Sequence, residues 1–106
     1  MIGRIWHGYT TTANADIYEN LLKEEIFTGI RQRSIPGFQE IQLLRRDLGN
    51  EVEFITIMWF DDIEAVKTFA GEEYEMAVVP PKARAILSRF DDRSHHYEVR
   101  EKLMGA

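Results

Sequence analysis

Residues Glu51–Phe60 read EVEFITIMWF, and the reading of this stretch decides the fold. It is β-branched and aromatic with no proline or glycine, which makes it a strand. Neighbouring side chains on a strand point to opposite faces. One face therefore carries Val52, Phe54, Thr56 and Met58, and the other Ile55, Ile57 and Trp59. A sheet with one wet face alternates apolar and polar residues. This strand is apolar on both faces, so both must be covered.

Upstream, FQEIQLLRR (38–46) is a second apolar run, joined to the first by DLGN (47–50). Two such runs around a Gly/Asn turn make a hairpin. This strand is also two-sided, with Ile41 and Leu43 on one face and Leu44 on the other. Before the hairpin, SIPGF (34–38) is a turn, and Pro36 disfavours helix at Ile35.

At the start of the chain, IGRIWHGYT (2–10) reads as a first strand. Threonines 10–12 then lead into a helix from about Ala13. Its stripe is Ile17, Tyr18, Leu21 and Leu22, from which Ile26 and Ile30 drift, so a kink or irregular turn is expected near Glu25–Gly29. After the hairpin, Asp61 or Asp62 caps a second helix whose face is Ile63, Val66, Phe69 and Ala70, and Gly71 ends it. Pro80 and Pro81 open a third, short helix with the stripe Ala83, Ile86, Leu87 and Phe90. Ser94–Arg100 is left as the last strand.

The order β-α-β-β-α-(α)-β predicts an α+β fold: the ferredoxin-like split βαβ, a four-stranded antiparallel sheet with its helices on one face. The chain holds no spare element to cover the second face. A second copy packed sheet to sheet would do so, which gives a homodimer with a closed α/β-barrel core.

The 106 residues make one domain, 1–106. With 44% hydrophobic and 29% charged residues, composition is that of an ordinary soluble globular protein. Eighteen acids against 13 bases leave a net charge of −5, which repels a phosphate backbone, so no nucleic-acid partner is expected. No cysteine is present, which excludes disulfides, thiolate ligands and a cysteine nucleophile and fits a cytoplasmic location. MIGRIWHGYT has no apolar core of a signal peptide, and no apolar run is long enough to span a membrane.

Chemistry-bearing residues concentrate in FDDRSHHYEVR (90–100). On a regular strand His95 and His96 point to opposite faces and cannot share one metal ion. No metal site is expected, and Asp91 and Asp92 suit a turn for backbone reasons. His96 shares a face with Glu98, and His95 with Tyr97 and Val99. No Ser-His-Asp order, glycine-rich phosphate loop or paired glycosidase carboxylates occur.

Taken together, IPGF entering the second strand, LLRR and EVEFITIMWFDD through the hairpin, FAG, and FDDRSHHYEV resemble the antibiotic biosynthesis monooxygenase family of the dimeric α/β-barrel superfamily. The resemblance implies a pocket between sheet and helices. It implies oxidation of an aromatic or polyketide-like compound by molecular oxygen without a cofactor, or binding of a small molecule, as in a stress-response protein, without chemistry. Haem-degrading members carry an asparagine on the first strand, a tryptophan in the second helix and a histidine just after it. Here the first strand has no asparagine, Phe69 stands where the tryptophan would, and EEYEMAVVPP (72–81) has no histidine, so no haem is expected. In this frame His96 is the candidate proton acceptor, Trp59 a pocket wall, and Tyr74 a residue at the pocket mouth. His7 lines either the pocket or the dimer core.

Overall fold

A computed structural model describes all 106 residues. The strands are β1 (Ile2–Thr11), β2 (Phe38–Asp47), β3 (Glu51–Phe60), β4 (Arg89–Phe90) and β5 (His95–Glu98). The helices are α1 (Ala15–Leu21), α2 (Phe27–Gln32), α3 (Ile63–Ala70) and α4 (Pro81–Ile86). The sheet is antiparallel in the order β2-β3-β1-β4, with β5 also on β1. This is the expected ferredoxin-like arrangement, with one difference in its fourth strand.

That strand is broken in two. β4 pairs with Gly8 and Tyr9, and β5 pairs with Ile2 to Ile5. The Trp6 indole N–H bridges the break by donating to the Asp91 carbonyl at 2.8 Å. Phe90 therefore belongs to the sheet and not to the stripe of α4. The helix ends because Leu87 turns extended at ψ 139°.

The first helix carries the expected irregularity slightly earlier than predicted. Between α1 and α2, Leu22–Ile26 is a π-helical turn. Apolar residues spaced by four advance about 40° per step round an α-helix. One wider i→i+5 turn takes back part of that drift. Tyr18, Leu22, Ile26 and Ile30 thereby end on one side, facing a common cavity. Ile17 is not part of that face and is 56% exposed.

The helices pack on the sheet face made by Trp6, Val52, Phe54, Met58 and Phe60. Tyr18 meets Phe54 edge-on at 4.9 Å between ring centres. Asp62 caps α3, accepting from the Ala65 N–H at 2.9 Å, and Gly71 ends it at φ 92°. The opposite sheet face carries Ile5, His7, Tyr9, Ile55, Ile57 and Trp59, all half-exposed. No helix of the chain is long and apolar enough to cross a membrane.

Candidate functional site

Strand alternation puts Arg4, Trp6 and Thr10 of β1 on the helix-facing side of the sheet. A charged residue on this face is the exception. Arg4 is only 4% exposed and lies in the wall of a cavity of about 60 Å³ between sheet and helices. Trp6, Tyr18, Phe27 and Phe69 give that cavity aromatic walls, and Val78, Val79 and Pro80 close one side. Arg4 is the one charged residue in the lining.

The guanidinium is held by backbone and by one imidazole. Its Nη1 donates to the Tyr74 carbonyl and lies 3.0 Å from His96 Nε2, and its Nη2 donates to the Met76 carbonyl at 3.2 Å. It also sits 5.5 Å from the centre of the Phe69 ring. Burial pulls Arg4 down from the usual arginine range to about 10, which leaves it cationic at neutral pH.

His96 is held below the usual histidine range by burial first and by the adjacent Arg4 charge second. It is therefore neutral at pH 7, and Nε2 accepts from Arg4 with the ring proton on Nδ1. The Tyr74 ring meets the imidazole edge-on at 5.2 Å. The Tyr18 phenol is pushed well up by burial and stays protonated.

These positions separate the four residues singled out in the sequence. His96 faces the helix side and reaches the cavity only through Arg4. Tyr74 does not line the cavity. Its backbone is tied to Arg4, and it packs against the cluster of Met58, Phe60, Ala65 and Val66. Trp59 requires a correction: it lies on the other sheet face, over Gly3, donating from its indole to Gln42 at 3.1 Å. His7 is on that same outer face, 3.0 Å from Glu53, which also accepts from the Tyr9 hydroxyl at 3.1 Å. Neither Trp59 nor His7 walls the cavity.

Arg4 was the residue that sequence reasoning passed over. Its signal was parity: it shares a strand face with Trp6, two residues along.

No protein-family profile matches the sequence, and no curated protein matches it. Solved structures do. A protein from Bacillus cereus assigned by name to the antibiotic biosynthesis monooxygenases superposes with a TM-score of 0.70 at 14% identity, over 98% of this chain and 97% of that one. The haem-degrader MhuD from Mycobacterium tuberculosis, solved with two haems in its active site, superposes with a TM-score of 0.59 at 19% identity, over 98% of this chain and all of that one. At such identities the likeness is one of fold. The chain thus has the ferredoxin-like fold of the antibiotic biosynthesis monooxygenases, as the motifs of its hairpin and last strand lead one to expect.

Proposed function

We propose that the cavity between sheet and helices binds a planar aromatic or polyketide-like molecule and oxidises it with molecular oxygen, without a cofactor. The observation that carries this reading is the cavity wall itself: four aromatic rings around one buried cation. A ring stacks on such walls, and a cation favours the enolate or phenolate form that reacts with oxygen. In that chemistry a CH₂ flanked by rings loses a proton, and the carbanion passes an electron to O₂. Recombination and loss of water leave a ketone, so one O₂ yields one carbonyl oxygen and one water.

The residues present do not fit a haem. The wall offers no histidine or cysteine, and the protonated Tyr18 offers no phenolate. The nearby imidazole is turned onto Arg4. A cavity of about 60 Å³ is room for roughly four waters. It lies below the ~300 Å³ lower end of ligand pockets. Ligand entry therefore requires the wall to move. In the wall, the segment 71–80 lacks regular structure and is tied down by a β-bridge between Met76 and Arg93, by the Glu75–Arg93 ion pair and by Arg4.

A second reading, ligand binding without chemistry, is favoured by one specific observation. No group at the cavity is free to take a proton, because Arg4 occupies His96 Nε2 and Tyr18 stays protonated. Oxygen uptake with anthrone- and quinol-type compounds separates the two. Stoichiometric uptake with quinone product supports the enzyme; binding with no uptake leaves the binder.

In either reading we propose a homodimer formed through the outer sheet face, where Ile5, Ile55 and Ile57 have no cover from their own chain.

A further inference from the structure

We propose that Arg4 is an anion-binding residue, so that the ligand of the cavity is an aromatic acid or a ring carrying an ionised oxygen, and not a neutral hydrocarbon-like molecule. This rests on the reading of the cavity as a small-molecule site and adds the charge of its occupant.

Two independent observations lead there. The first is missing charge compensation. A buried cation is normally paired with a carboxylate. No acidic group lies within ion-pair distance of Arg4, which is absent from the eight ion pairs of the chain. Glu75, whose charge is felt at His96, is bonded to Arg93 at 3.2 Å. The partners that Arg4 does have are two carbonyls and a neutral imidazole, none of which neutralises it.

The second is unused hydrogen-bonding capacity at the cavity. A guanidinium has five N–H donors in a planar fork. Three contacts engage the group, leaving about two donors without a protein acceptor. Nε is the one guanidinium nitrogen with no protein acceptor, and no buried side-chain nitrogen in the chain is left both sealed and unpartnered, so Nε is not sealed. Arg4 is part of the wall of this cavity. Two N–H groups of a guanidinium suit a carboxylate or a pair of ring oxygens, and an anion there supplies the missing charge.

The test uses 2-naphthoate and its neutral isostere 2-naphthamide, titrated into the full chain at pH 7 and followed by ¹H–¹⁵N NMR. The expected result is at least tenfold tighter binding of the naphthoate, with the Arg4 Nε–H resonance shifting for the acid only. Arg4→Met should abolish the preference while keeping naphthamide affinity, and Arg4→Lys should restore part of it. Should Arg4→Met fail to fold, the Arg4 resonance in the unaltered protein still decides. If both compounds bind equally at the cavity, the cavity reading stands and the anion assignment is overturned. If neither binds, both are overturned.

Discussion

Arg4 and His96 face each other across the antiparallel β1–β5 ladder, and Arg4 Nη1 lies 3.0 Å from His96 Nε2. The contact needs a neutral imidazole, since a protonated one has no lone pair and repels the guanidinium. The folded protein lowers the His96 pKa, and the unfolded chain leaves it near 6.5. Between those values the unfolded state binds more protons, so stability is fully present above about pH 6.5 and is lost as pH falls. The carboxylates held low by their partners, Glu19 and Glu53, act only in a more acid range. Thermal melts should therefore show a loss of stability as pH falls below about 6.5 that His96→Gln reduces. A melting profile unchanged by that substitution would remove His96 from the account.

A close approach in β1 gives a packing test. A Cβ on Gly8 would lie 2.6 Å from the Trp6 ring and 3.2 Å from Leu87. Gly8→Ala should destabilise by about 1–3 kcal/mol, because Trp6 is wedged between the sheet and the β4–β5 break. Gly29 is the control. It is helical and a Cβ there meets nothing within 4 Å. Gly29→Ala should stabilise by about 0.5–1 kcal/mol. Chemical denaturation of the two variants should move the midpoint in opposite directions.

The cavity wall offers haem no histidine or cysteine, which makes an optical prediction for the proposed reading. Added haem should give no stoichiometric Soret band, and ascorbate should not drive its breakdown. A saturable Soret band with one or two haems per chain would show that the wall rearranges far more than its packing implies.

The strand order and the apolar character of both faces of Glu51–Phe60 were legible because they follow from alternation, which backbone geometry enforces. Which face of β3 receives the helices was not. Both faces are apolar, so pattern alone gave no reason to put Trp59 away from them. Phe90 was misplaced for a similar reason. It completes a helical spacing with Ala83, Ile86 and Leu87, and only its pairing with Gly8 puts it in the sheet. Arg4 was readable in principle, as a charge sharing a face with Trp6. Its significance depends on Tyr74 and Met76, some 70 residues away in sequence, offering carbonyls and no carboxylate.

The outer sheet face carries the last prediction. Ile57 sits at its centre, opposite Ile5 on β1 and Gln42 on β2. Around it are Ile55, Trp59 and Leu44, the last 44% exposed, with Tyr97 57% exposed along the β5 edge. Exposed apolar surface of this kind is costly to leave in water. Two copies stacked about 10 Å apart would bury it. Light scattering after size exclusion should then give twice the 12.4 kDa chain mass. Ile57→Lys tests the surface directly. In the isolated chain the site is half-exposed, so a lysine there can extend its ammonium into water. Between two sheets it would bury an unpaired charge, at a cost of several kcal/mol per copy. The variant should run at the monomer mass and retain its circular dichroism, with a lower melting temperature than the dimer. An unaltered protein that is monomeric at tens of micromolar would rule out the sheet-to-sheet dimer, and a dimer that survives Ile57→Lys would place the interface elsewhere.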